Sequence, residues 1–99
     1  MFATIRRYQG KPGQIKEVSR RVQQSLVPIL SKQKGFVSYH VVAAGSDVVI
    51  SISLYHDRSA AEAANTAAAQ WVQANVADLV GTAQVTLGEV VVSAVGASV

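Results

Sequence analysis

The side chains able to do chemistry are few and of one kind. Asn65, Trp71, Tyr8, Tyr39 and Tyr55 carry hydrogen-bonding groups on planar or apolar frames, and Arg6 stands two residues before Tyr8 in an alternating stretch. Such groups can surround an aromatic ring and stabilise negative charge on its oxygen. Asn65, Trp71 and His40 are the candidates for catalysis, His40 as a base near neutral pH. Arg6, Tyr8, Ser53 and Tyr55 are the candidates for binding, with Arg6 supplying charge and the hydroxyls supplying direction. Each has a plainer use. Trp71 lies one step off a helical stripe, where tryptophan packs and keeps a polar handle. Asn65 can cap a neighbouring backbone group. Arg6 can pair with Glu89 across a sheet, and His40 can be a satisfied interface residue.

Other chemistries are excluded. Without cysteine there is no disulfide, thiolate metal site or cysteine nucleophile. Neither His40 nor His56 has a second ligand at metal spacing, so no metal is expected. No glycine-rich nucleotide loop and no Gly-x-Ser-x-Gly element occurs. The net charge of +3 is divided unevenly. Residues 1–40 hold eight Lys/Arg against Glu17, or +7, and the rest holds Arg58 against five acids, or −4. Most of these cations fall on the solvated face of a helix, and no nucleic-acid-binding signature accompanies them, so no nucleic acid is expected as partner. No stretch approaches the roughly 20 apolar residues of a membrane helix. Met1 runs into strand-like sequence without a leader pattern, so the expectation is a cytoplasmic protein with no membrane partner.

The elements that must hold these residues follow from periodicity. Residues 47–55 form the central strand, with Val48, Ile50, Ile52 and Leu54 on one face and Val49, Ser51, Ser53 and Tyr55 on the other. The first face suits a hydrophobic core and the second a wetter lining. Residues 1–8 alternate as a first strand and end at Gly10-Lys11-Pro12-Gly13. Ile15, Val18, Val22, Leu26, Ile29 and Leu30 make a helical stripe, kinked at Pro28 and closed by Gly35. Residues 36–44 read as a strand with Phe36, Ser38, His40 and Val42 on one face. Ser59 to Glu62 has the form of a capping box, opening a helix to about Val80 with Ala61, Ala64 or Asn65, Ala68, Val72, Val76 and Leu79 on its core side. Residues 84–94 read as the last strand, with a flexible tail from about 95.

The order βαββαβ is that of the ferredoxin-like α+β fold, one domain over 1–99 with a four-stranded antiparallel sheet and both helices on one face. The uncovered sheet face, expected to carry Val49, Tyr55, Phe2 or Phe36, would be an apolar patch that a second copy covers. The segments MFATIRRYQGKPG, GFVSYHVV, VVISISLYHDRSAAEAAN and WVQANVADL together resemble the antibiotic biosynthesis monooxygenase-like proteins of the dimeric α/β-barrel superfamily. That resemblance implies a homodimer with sheets packed face to face and a pocket between sheet and helices in each protomer. It further implies a cofactor-independent monooxygenase acting on a small aromatic or polyketide-like ligand, with Asn65, Trp71 and tyrosines around the substrate. The haem-degrading branch fits poorly, since strand 1 has no asparagine and both histidines precede Trp71. A non-catalytic dimeric ligand-binding or stress-response module is the alternative on the same scaffold.

Overall fold

The computed structural model describes residues 1–96. Its elements are β1 (Phe2–Gln9), α1 (Ile15–Arg21), a π turn (Val22–Leu26), α2 (Val27–Ser31), β2 (Phe36–Ala44), β3 (Val48–Tyr55), α3 (Arg58–Asn75) and β4 (Gln84–Glu89). The strands form one antiparallel sheet in the order β2-β3-β1-β4. The helical layer covers one face of it, as the ferredoxin-like pattern requires.

The covered face is not the one that the aliphatic side chains suggested. Along β3 it is Val49, Ser51, Ser53 and Tyr55 that are buried, while Val48, Ile50, Ile52 and Leu54 turn to the open side. The reason is volume matching. Helix α3 presents Ala61, Ala64 and Ala68 to the sheet, so the space beneath it is filled by tall side chains from the strands, Tyr8 and Tyr55 among them. Phe2 and Phe36 also pack against this core, which corrects the expectation that they and Val49 and Tyr55 would be exposed. The open face carries Ile5, Val42, Ile50 and Ile52 in their place.

Phe36 changes side through a bulge. The β2–β3 register slips between Phe36 and Ser38, so Phe36 joins Tyr39 and Val41 under the helices and leaves Ser38 and His40 outside. It meets Tyr55 edge to face at 6.0 Å and 71°.

Pro28 acts as the sequence suggests, but upstream of itself. It has no N–H to offer the carbonyl four residues earlier, and the chain widens into the π turn before Pro28 opens α2. The extra residue rotates the stripe: Leu26 and Leu30 are buried, whereas Ile29 is 44% exposed. Helix α3 is capped by Asp57 rather than Ser59. Asp57 Oδ1 accepts from the Ala60 amide at 2.8 Å and from Ser59 Oγ at 3.0 Å, an anion where the helix dipole favours one. The helix ends at Asn75, five residues before the expected end, and Val80 bridges to Gly10. Strand β4 stops at Glu89, leaving Val91 and Val92 exposed. Of the expected tail, residues 97–99 lie outside the described residues. Among the described residues no helix is long and apolar enough to cross a membrane.

Replacing Asp57→Ala should lower stability by about 1 kcal/mol in urea denaturation, and Ser59→Ala by distinctly less. Equal losses would return the cap to Ser59.

Candidate functional site

Strand β1 lies in the middle of the sheet, and its even residues Thr4, Arg6 and Tyr8 all point under the helices, beside Ser53, Ser51 and Val49 of β3. Above them stand Ala64, Ala68 and Trp71 of α3. Between the layers is a cavity of about 30 Å³. Beside it, towards β4, a cleft of about 500 Å³ is lined by Ala69, Gln73, Ala77, Ala83 and Val85. The two hollows share Arg6, Tyr8, Asn65, Val72 and Val80 as walls. The cleft exists because α3 lies over β1 and β3, leaving the helix side of β4 uncovered.

Six candidate residues, Arg6, Tyr8, Ser53, Tyr55, Asn65 and Trp71, therefore line one cavity. His40 does not. It is exposed on the open face opposite Ile52, because the bulge at Val37 fixes the phase of β2 with Tyr39 and Val41 inward. A base at His40 cannot reach a ligand in either hollow. Trp71 is a correction of another kind. It lies squarely on the buried stripe at 6% exposure, and its indole Nε1 donates to Ser25 Oγ at 2.8 Å. The ring walls the cavity, but its N–H is committed to the π turn rather than aimed at a ligand oxygen.

Arg6 dominates the electrostatics. It is 6% exposed; Nε donates to Tyr8 Oη at 2.7 Å, and Nη1 donates to Asn65 Oδ1. The guanidinium also sits 5.5 Å from the Tyr8 ring centre. Glu89 is not its partner: in the β1–β4 register Arg6 faces Val85, and Glu89 faces Phe2. Among the described residues no carboxylate bridges to Arg6 and none lines either hollow. A buried cation held only by neutral groups is under-compensated, and an anion arriving beside it would be bound strongly. Among the described residues, no group of three His, Cys, Asp or Glu could hold a metal ion.

A family model for antibiotic biosynthesis monooxygenase matches residues 1–75. The chain belongs to this family. Solved structures share the fold of this antibiotic biosynthesis monooxygenase-family chain. The NE2512 protein of unknown function from Nitrosomonas europaea is similar at 21% identity and TM-score 0.78, over 98% of this chain and 95% of that one. A monooxygenase from the gene ActVA-Orf6 of Streptomyces coelicolor, in complex with the ligand nanaomycin D, is similar at 12% identity and TM-score 0.76, over 97% and 92%. SnoaB, a cofactor-independent oxygenase from Streptomyces nogalater, is similar at 16% identity and TM-score 0.69, over 93% and 94%. No curated protein matches the chain in sequence.

One wall of this family member's cavity, Thr4, and one support behind the wall, Ser25, were not among the expected site residues. Thr4 could have been found, since it shares the parity of Arg6 and Tyr8. Ser25 could not, because only the π turn brings it to Trp71. The floor tyrosines are held neutral. Burial pushes the Tyr39 hydroxyl up to about 12, against an opposing hydrogen bond with Ser51, and burial raises Tyr55 against a hydrogen bond with Ser53. Both are hydrogen-bonding hydroxyls at neutral pH, not bases.

Because Tyr39 keeps its proton in the folded state after the unfolded chain has lost it, its contribution to stability is complete below about pH 10 and is lost as pH rises towards 12. Alkaline spectrophotometric titration should show a tyrosinate phase near pH 12 that Tyr39→Phe removes. An unchanged late phase in that variant would refute the assignment.

Proposed function

We propose that this family member is a cofactor-independent monooxygenase that binds a small aromatic phenol or enol as its anion beside Arg6. The observation that carries the reading is the burial of Arg6 with only Tyr8 and Asn65 as partners. The descriptions of SnoaB as a cofactor-independent oxygenase and of the Streptomyces coelicolor protein as a monooxygenase support it. A guanidinium fixed in a low-dielectric site favours the ionised substrate and spreads no further reorganisation onto the reaction. The proton lost on ionisation passes to water at the open cleft. The anion's carbon gives one electron to dioxygen, and the resulting radical and superoxide combine as a peroxide. The peroxide takes up a proton and loses water. A ring CH2 thereby becomes C=O, one oxygen atom staying on the product and the other leaving as water.

The second reading, a non-catalytic ligand-binding module, is favoured by one observation: no histidine or carboxylate among the described residues lines either hollow. Oxygen uptake with a panel of hydroxylated anthrones separates the two, since the module would bind them without consuming oxygen. Arg6→Gln should weaken binding of the ionised phenols by about 10- to 100-fold, the value of a charge-assisted hydrogen bond, and lower oxygen uptake with it. Trp71 fluorescence reports the binding, and unaltered affinity would sink the reading. In the wild type, affinity should rise as pH passes through the ligand's own phenol pKa.

We further propose that a second copy covers the open sheet face. Ile5 and Val42 are 40% and 44% exposed there, flanking Ile52 and Ile50 in the pairing, and a two-fold axis would set the same patch against itself. Sedimentation velocity should give a dimer for the wild type and a monomer for Ile52→Glu. A wild-type monomer would rule the interface out.

A further inference from the structure

Six hydroxyl groups line the cavity between sheet and helices, from Thr4, Tyr8, Tyr39, Ser51, Ser53 and Tyr55. Five of them are engaged. Tyr8 Oη accepts from Arg6, Tyr39 is hydrogen-bonded with Ser51, and Tyr55 with Ser53, whose Oγ also donates to the Thr4 carbonyl at 3.4 Å. The sixth is not: Thr4 is 1% exposed, and its Oγ1 has no partner. We propose that Thr4 is a specificity-determining residue, its hydroxyl bonding a second oxygen of the ligand, across the ring system from the anionic oxygen at Arg6. The proposal rests on the reading of an anion at Arg6, not on its reaction with dioxygen, and adds to it which anions the site selects.

The sizes of the two hollows assign the parts of the ligand. The cleft, at about 500 Å³, falls in the range of small-molecule sites and takes the ring system. The cavity, at about 30 Å³, has room for one substituent of the size of a hydroxyl or carbonyl oxygen and none for a ring. The two adjoin at Arg6, Tyr8 and Asn65, whereas Thr4 lines the cavity and not the cleft. Arg6 spends Nε on Tyr8 and Nη1 on Asn65, which leaves Nη2 for the anionic oxygen.

Spacing sets where the second oxygen must be. Thr4 and Arg6 share one face of β1 two residues apart, a separation of about 7 Å along the strand, and Arg6 leans further off towards Tyr8. An oxygen next to the anionic one falls short of Thr4; an oxygen on the far ring of a fused pair spans the gap. Thr4 carries its hydroxyl and its methyl on one carbon, so a single turn about χ1 exchanges them and presents the oxygen to a group that enters. Of the apolar walls, Val22, Leu26, Leu30, Ala64 and Ala68 offer it no side-chain partner. A resident water is the competing occupant, and the two differ in what losing the hydroxyl does to the empty protein: removing an unpartnered group relieves a cost, whereas removing a water's partner creates one.

The experiment uses the full chain, kept anaerobic so that no turnover occurs, and isothermal titration calorimetry with naphthol and dihydroxynaphthalenes at a pH where the first hydroxyl is ionised. In the wild type, diols with one hydroxyl on each ring should bind about fivefold or more tightly than naphthol, the value of one hydrogen bond, and the vicinal diol should show no such gain. Thr4→Val should bring those diols down to the affinity of naphthol, and Thr4→Ser, which keeps the hydroxyl, should preserve their advantage. Without ligand, Thr4→Val should unfold at the same urea concentration as the wild type or a higher one. A lower midpoint, or failure of the variant to fold, would show that the hydroxyl already serves the protein or a water, and overturns the assignment. Equal wild-type affinity for naphthol and every diol, an equal gain from the vicinal diol, or an advantage that survives in Thr4→Val overturns it too, and naphthol binding that Arg6→Gln weakens would then leave the anion reading standing. Naphthol binding that is absent, or indifferent to Arg6→Gln, removes that reading and the role of Thr4 together.

Discussion

The tie between Arg6 and Asn65 is the interaction on which the rest of the site depends. It joins the central strand to α3 through one charged side chain, and it does so where burial makes an uncompensated charge costly. Neutral oxygens from Tyr8 and Asn65 satisfy part of the guanidinium's donor capacity and leave its charge without a counter-ion. Stability alone would favour replacing such a group with an apolar side chain. Its place in a cavity wall leaves a buried positive charge facing the hollow, the feature on which the proposed anion binding rests.

The geometry that allows this comes from an asymmetry of volumes. An alanine-rich α3 settles low over the sheet, and tyrosines rise from β1, β2 and β3 to meet it. The hydroxyls of those tyrosines then have to find partners inside, which they do with Ser51, Ser53 and Arg6. A leucine-rich helix in the same place would have lifted off the sheet and turned the polar floor into a wet channel. The buried serines at 51 and 53 are thus companions to the tyrosines, not defects in a core strand.

Much of this was legible in the residues. The alternation of β1 and β3, the glycine at position 35 and the two helical periodicities determine the βαββαβ order, and the parity of Arg6 and Tyr8 foretells that they share a face. The direction of that face was not legible. Ile50 and Ile52 look like core to any rule based on apolarity, yet they are turned outward, because the alanine face of α3 is filled by the strand face that carries the tall tyrosines and the serines beside them. The phase of Phe36 was hidden by a bulge with no glycine to mark it. The commitment of Trp71 to Ser25 depends on one extra residue per turn near Pro28, a local widening that periodicity counts cannot register. His40 shares the open side with Ser38 and Val42, as its parity with them implies; it was singled out for its chemistry, and that side is the one away from both hollows.

The order β2-β3-β1-β4 has a consequence for how such a protein can diversify. The charged anchor sits on β1, hydrogen-bonded to a strand on either side, whereas the far wall of the cleft is built on β4, a six-residue strand paired on one side only. Residues at the outer wall can change in size, and the wall itself can shift, without disturbing the register that aims Arg6. The buried cation and the outer wall of the cleft are therefore mounted on separate supports. Changes at Ala83 or Val85 would alter the size of the cleft while leaving the strand and the helix that hold the Arg6–Asn65 tie as they are.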